Sequence, residues 1–358
     1  MFLRSRWYVA ARSREVTRFK PVARTFLDEK VVLFRLKDNS VVALENRCSH
    51  RYAPLSLGIV TENGIACPYH GMTYDRAGVC VLNPTQPNER IPPNARVRAY
   101  PLVERHGFLW IWMGKSDLAN PDLIPGFTYF DDTHWHAETK YLHVAANYLL
   151  IVDNLLDLTH INFVHGDIFG SPELVDRTTS KTETTDRGIT ERWWIPDSPP
   201  APVWRSLVNE PWMSGNVDYW MDMSWEPASN LIQHAGVMAA GTPRAAGPCV
   251  INLNCLTPES MTTTHYFWGQ SHNVRSDSVA YGGLIIDAAT YAFDQDKRLL
   301  EQVQQNMGNE WDILAMSPVV NRGDRGSLLA RRMLRDLIVA ERKRASASEE
   351  TPERSSVG

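Results

Sequence analysis

The sequence predicts an α+β fold in two parts, an N-terminal antiparallel β module followed by a larger antiparallel sheet flanked by helices. Three observations carry this. Short apolar runs punctuated by turn residues occupy the first third of the chain, at 31–34, 40–44, 64–66 and 108–112, the lengths expected of small antiparallel strands. Two Gly- and Pro-poor stretches with helical spacing, 145–164 and about 278–307, bracket the second region. Between them, 188–264 alternates in strand-like runs such as 189–194 and 249–255. Helix, sheet, helix makes this region an α+β domain. A polar segment at 114–130, with Pro121, Pro125 and Gly126, reads as the crossover. The expected division is 1–118, 119–341, and a charged, Ser- and Ala-rich tail at 342–358 that reads as disordered. At 358 residues the chain has length for two domains, and no internal repeat is evident.

The β module carries the chemistry that is easiest to read. Cys48-Ser-His50 and Cys67-Pro-Tyr-His70 form two arms, C-x-H and C-x-x-H, sixteen residues apart. Two Cys and two His in this order are the ligand set of a Rieske [2Fe-2S] centre, one iron taking both thiolates and the other both imidazoles. A structural zinc site uses the same residue types. Zinc fingers, however, keep like ligands together, whereas here each arm holds one Cys and one His. Neutral His in place of anionic Cys raises the potential, so the centre should receive and pass on single electrons. Pro54, Gly58, Gly64, Pro68 and Gly71 supply tight turns for the two loops. Cys249 and Cys255 read as buried small hydrophobes.

In the first helical stretch, Asn154, Asp157, His160 and His165 follow as N-x-x-D-x-x-H-x₄-H. Three-residue intervals place Asn154, Asp157 and His160 on one helix face. Such a stripe is often only a solvated polar face, but an electron carrier joined to a second domain needs an acceptor there. Two His and one carboxylate form the facial triad of a mononuclear non-haem iron site that leaves positions open for O₂. The late helix offers Asp294 and Asp296 for the carboxylate. Asp294 has Lys297 and Arg298 at i+3 and i+4, a surface ion-pair setting. Asp296 has Ala292, Phe293, Leu299 and Leu300 at those spacings, and an acid on an apolar stripe is costly unless paired or metal-bound. Asp296 is therefore assigned as third ligand, with Asp294 the fallback. His265, followed by Tyr-Phe-Trp, reads as a core or pocket-wall histidine.

Over nearly its full length the chain resembles the Rieske non-haem iron oxygenase α subunits, in the branch with vanillate O-demethylase, p-toluenesulfonate methyl-monooxygenase and dicamba O-demethylase. The resemblance rests on 7–10, the cluster loops with 53–58, 103–105, 153–160 with 164–165, 256–259, 265–269 and 293–301. The chain lacks the extra loop cysteines of respiratory Rieske proteins, having Tyr69 and the neighbourhood of Ala53 there. The resemblance implies a helix-grip-like catalytic sheet and a head-to-tail homotrimer in which one subunit's cluster serves the next subunit's iron. It matches Asp157 to the acid that bridges the two centres. A carboxylate there can accept from the N–H of iron-bound His160 and from a neighbour's His70. Asn154 is expected near the iron without binding it.

The function expected is the terminal oxygenase of an aromatic monooxygenase system. A reductase with flavin and a ferredoxin-type [2Fe-2S] centre supplies electrons from NAD(P)H, and O₂ hydroxylates a methyl or methoxy group of an aromatic acid. A methoxy substrate would lose formaldehyde, and a methyl substrate would stop at the benzylic alcohol. Asn230, His234, Asn254 and Asp287, with the Trp- and Met-rich run 212–225, are the expected pocket residues. Arg205 and Arg244 read as surface groups. The alternatives are a cis-dihydroxylating ring dioxygenase, a caffeine-type N-demethylase and, with no second metal site, a Rieske electron carrier. A net charge of -4 and the lack of a basic block argue against nucleic acid. The longest strongly apolar run, 108–113, is far below membrane-spanning length, and the N-terminus is too weakly apolar for a signal peptide, so a cytoplasmic protein is expected.

Overall fold

The computed structural model describes residues 2–349 except 19, 171–176, 229, 245–246 and 275–277. The N-terminal module is built from β1 (Trp7–Arg12), β2 (Val22–Phe26), β3 (Glu29–Arg35), β4 (Val41–Glu45), β5 (Ile59–Thr61), β6 (Gly64–Ala66), β7 (Thr73–Tyr74), β8 (Cys80–Leu82), β9 (Ala99–Tyr100), β10 (Leu102–Arg105) and β11 (Phe108–Trp112). They form three small sheets, ordered β1-β11-β10, β2-β3-β4-β9 and β5-β6-β7-β8. The Cys67–His70 loop joins β6 to β7 in the last of these, the Cys48–His50 loop follows β4 of the second, and the turns are tight. Gly64 has φ of 144°, and a Cβ there would lie 1.8 Å from the Tyr74 carbonyl oxygen, so only glycine fits.

Residues 114–130 form three short 3-10 turns. The second region is one seven-stranded antiparallel sheet of β12 (His136–Val144), β13 (Thr179–Thr184), β14 (Ile189–Ser198), β15 (Val217–Glu226), β16 (Asn230–Ala239), β17 (Cys249–Pro258) and β18 (Thr264–His272). Its order, β12-β18-β17-β16-β15-β14-β13, is a meander from β13 to β18 with β12 added beside β18, so that β12 and β13 are the two edges. The helices are α1 (Tyr148–Leu156), α2 (Ile161–Val164), α3 (Pro202–Leu207), α4 (Val279–Met307) and α5 (Arg325–Glu349).

Strand alternation divides the sheet's side chains into two cores. On the inner face, Trp225, Leu231, Tyr266 and Trp268 pack with Leu150 of α1, Phe293 and Leu300 of α4 and Leu334 of α5. On the outer face, Leu253, Cys255 and Phe267 meet Trp7, Trp110 and Trp112, which fastens the N-terminal module to the back of the sheet. The first helical stretch is shorter than 145–164 and broken. α1 stops at Leu156, and Asp157 is extended at φ -105° and ψ 98°, its side chain accepting from the Thr159 N–H to start a new turn. This capping interaction competes with helix continuation. Asn154, Asp157 and His160 therefore do not share one continuous helix face.

The tail also differs from expectation where it is described. Residues 342–349 continue α5, in keeping with the helix propensity of their Lys, Arg, Ala and Glu, while 350–358 lie outside the described residues. No helix among the described residues is long and apolar enough to cross a membrane.

Candidate metal centres and the cavity between helices and sheet

In the N-terminal module Cys48 and Cys67 are buried, at 2 % and 3 % exposure. The rings of His50 and His70 lie 4.7 Å apart at the surface side, with Tyr69 stacked on His70 at 4.1 Å. Burial pushes the Cys67 thiol up, and the neighbouring Cys48 adds to the rise. Two adjacent thiolates are unfavourable without a cation between them, so this donor set fits an iron–sulfur group. The Tyr74 hydroxyl sits 3.1 Å from Cys48 Sγ and 2.9 Å from Ser49 Oγ, and it accepts from the Ser49 N–H at 3.1 Å.

The second centre forms where the turn after α1 meets α4. His160 and His165 come from that turn and the end of α2, and Asp296 comes from α4, about three turns before its C-terminal end at Met307. One donor atom from each lies within 4.8 Å of the others. His165 Nε2 is 3.0 Å, and His160 Nε2 3.7 Å, from Asp296 Oδ1. Each imidazole is turned by its other nitrogen. His160 Nδ1 donates to the Asp157 main-chain carbonyl at 2.5 Å, and His165 Nδ1 donates to Gln295 Oε1 at 2.7 Å. Those bonds leave both Nε2 atoms facing the carboxylate as acceptors for a metal. Asn154 Nδ2 donates to Asp296 Oδ1 at 3.1 Å. Burial opposes charging His165, yet the Asp296 carboxylate outweighs it and holds the ring's pKa above its ordinary value. Two imidazoles and one carboxylate, with one side open to a cavity, fit a non-haem iron.

One sequence expectation changes here. The Asp157 carboxylate does not meet His160 within the chain. It is taken by the Thr159 N–H at 3.0 Å and the Thr159 hydroxyl at 2.7 Å, and the backbone carbonyl serves the imidazole instead. Asp296, the assigned third ligand, joins the cluster, and the fallback Asp294, two residues away in the sequence, does not. α1 is held from behind by Arg331 of α5, which is 7 % exposed and donates to both oxygens of Asp153, at 2.9 Å and 2.6 Å.

The triad opens on a cavity walled largely by apolar and aromatic side chains such as Leu155, Leu158, Trp204, Tyr219, Ile285 and Phe293. Met221 and Met223 of the expected Trp- and Met-rich run line it, but Asn230, His234, Asn254 and Asp287 do not. Asn230 pairs with Cys255 and His234 with Ile251, which places both on the outer face. Asn254 shares the inner face but is fully buried, accepting from the Tyr266 hydroxyl. Asp287 is 81 % exposed beside Lys140. Gln233, Asn252 and Gln270 are polar residues in the wall beside the triad: Gln233 is one residue from the outward His234, Asn252 two from the inward Asn254, and Gln270 stands opposite Asn252. Alternation offered that signal, but only once it was known which face was inward.

Residues 6–101 match the model of the Rieske [2Fe-2S] domain, and 144–340 match that of the vanillate O-demethylase oxygenase C-terminal domain. A putative toluene-4-sulfonate monooxygenase system iron-sulfur subunit of Comamonas testosteroni is 39% identical, over 95% of this chain and 98% of that protein. A vanillate O-demethylase oxygenase subunit from Pseudomonas sp. is 32% identical, over 97% of this chain and 98% of its own. Among solved structures, dicamba monooxygenase bound to 3,6-dichlorosalicylic acid superposes with a TM-score of 0.89 at 33% identity, covering 95% of this chain and 98% of that one.

Proposed function

The chain belongs to the Rieske non-haem iron oxygenases, in the branch with a vanillate O-demethylase type of C-terminal domain, and we propose that it is the terminal oxygenase component of a monooxygenase system acting on a methyl or methoxy group of a small aromatic compound. The observation that carries this reading is the convergence of His160 Nε2, His165 Nε2 and Asp296 Oδ1 on the wall of an apolar cavity.

Cys48, His50, Cys67 and His70 would hold the [2Fe-2S] cluster, and His160, His165 and Asp296 the mononuclear iron. When bound, the first supplies single electrons and the second activates O₂. The protein's own part is positional. The Asp157 carbonyl and Gln295 fix the imidazole orientations, and Asn154 holds the carboxylate. The apolar walls exclude water and bring a substrate methyl group against the triad. In a methoxy substrate, one oxygen atom inserted into a C–H bond, with two electrons and two protons reducing the other to water, gives a hemiacetal. That product breaks its C–O bond to release the phenol and formaldehyde.

The reductase is a separate protein in this reading, carrying flavin and a ferredoxin-type [2Fe-2S] centre and drawing on NAD(P)H. That one relative is itself named as the iron-sulfur subunit of a system supports a divided machinery. The reading also includes a head-to-tail homotrimer in the cytoplasm, with Rieske and catalytic domains at 1–118 and 119–341. Exposed Tyr52, Leu57, Ile59 and Tyr69 near the cluster loops, and Phe163 at 83 % exposure between the two histidines, support an apolar subunit contact. Asp157 would meet the neighbour's His70 there. Asp296→Ala tests the site. The variant should keep the Rieske absorption spectrum, lose the mononuclear iron and form no product; full iron content with turnover would overturn the assignment.

A further inference from the structure

The floor of the cavity carries a feature the mechanism does not use. Gln233 of β16 stands directly opposite Asn252 of β17, which stands directly opposite Gln270 of β18. Three carboxamides thus form one cross-strand row on the inner face, at the spacing where side chains touch a common ligand. Asn252 and Gln270 are each 8 % exposed. Their oxygens, Asn252 Oδ1 and Gln270 Oε1, are buried with no hydrogen-bond partner among the described residues. An unpartnered buried acceptor is destabilising, and few persist in folded proteins without a reason. Both sit in the wall of the one large apolar cavity described beside the metal triad. Outside His160, His165 and Asp296, no lining residue carries a charge. The nearest arginine candidates from the sequence are engaged elsewhere: Arg244 pairs with Asp222 on the outer face, stacked on Trp220, and Arg205 donates to the Pro200 carbonyl.

Resting on the oxygenase reading above, we infer that the Gln233–Asn252–Gln270 row is the substrate-recognition element and that it selects uncharged aromatic compounds bearing a group that both donates and accepts hydrogen bonds, such as a carboxamide or phenol, over the matching carboxylates and sulfonates. A carboxylate is acceptor-only. It would face two acceptor oxygens, and its charge would be desolvated in an apolar cavity with no cation of the protein opposite it. An amide or hydroxyl group gives those oxygens a donor and takes a bond from a carboxamide N–H₂ in return.

The test is calorimetric titration of the iron-replete oxygenase at about pH 8 with matched pairs, 4-methylbenzamide against 4-methylbenzoate and 4-methoxyphenol against 4-methoxybenzoate. The expected result is binding of each uncharged member at least about ten-fold tighter than its acid. Asn252→Leu should lose most of that binding while the iron content stays intact, and Gln270→Arg should shift preference toward the acids. Equal or tighter binding of the acids by the wild-type protein overturns the inference, as does unchanged amide binding by Asn252→Leu. Binding is read apart from turnover, so a preference for acids would refute the substrate class while ¹⁸O incorporation separately decides the oxygenase reading.

Discussion

His265 is predicted to make the fold acid-sensitive. It is 5 % exposed and lies on the seam between the two regions. Its Nε2 donates to the Thr25 carbonyl of β2 at 3.0 Å, and its Nδ1 accepts from the Tyr141 hydroxyl at 2.8 Å, which fixes the neutral ring. Burial, reinforced by the Arg24 guanidinium, lowers its pKa from 6.5 to about 4. The folded state therefore binds the proton less readily than the unfolded chain. Its contribution is fully present above the unfolded value and is lost as pH falls through that value toward the folded one. At about 1.4 kcal/mol per pKa unit, the whole effect is about 3 kcal/mol, and most of it is lost by pH 4.5. Urea unfolding of the wild type and His265→Gln, followed by tryptophan fluorescence at pH 7.5 and 4.5, isolates this group because other titrations cancel between the two proteins. The wild-type advantage should shrink by about 2–3 kcal/mol at the lower pH. Parallel loss in both proteins would refute the reasoning.

Three further outcomes follow from named contacts. Arg331→Leu leaves the half-buried Asp153 without its main cation partner and should cost about 3 kcal/mol in denaturant unfolding, with Asp153→Leu/Arg331→Leu recovering most of it; strictly additive losses would contradict the pairing. Gln295→Leu removes the acceptor of His165 Nδ1–H and should weaken mononuclear iron binding by about 10–100-fold, measured by competition with a chelator, while leaving the Rieske spectrum unchanged. Tyr74→Phe removes the hydroxyl beside Cys48 Sγ. Loss of a donor to the thiolate should lower the cluster's midpoint potential in a spectroelectrochemical titration, and an unchanged potential would show that the hydroxyl does not donate to sulfur.

What the sequence made legible was chemistry held in short, local patterns. The arms at Cys48–His50 and Cys67–His70 need no tertiary information, and the apolar surroundings of Asp296 distinguish it from Asp294 on helical spacing alone. The structure brings His160, His165 and Asp296 together as that spacing suggested. What was illegible depended on competition or on register. A helix through Asp157 is consistent with periodicity, but a side chain that accepts from the Thr159 N–H wins locally and breaks it. Two of the expected substrate residues missed on parity: Asn230 and His234 are as polar as Gln233 and Asn252, and only strand pairing decides which of them faces inward. Gln295 carried no signal at all, since its role comes from the approach of His165 across 130 residues.

The most direct measurement is a single turnover of the pre-reduced, iron-replete protein under ¹⁸O₂ with methyl- and methoxy-substituted aromatic compounds, products read by mass. One labelled oxygen in the hydroxymethyl product, or in formaldehyde released from a methoxy substrate, is the predicted result. Two labelled oxygens on the ring, or an oxidised cluster with unchanged substrate throughout, would contradict the account.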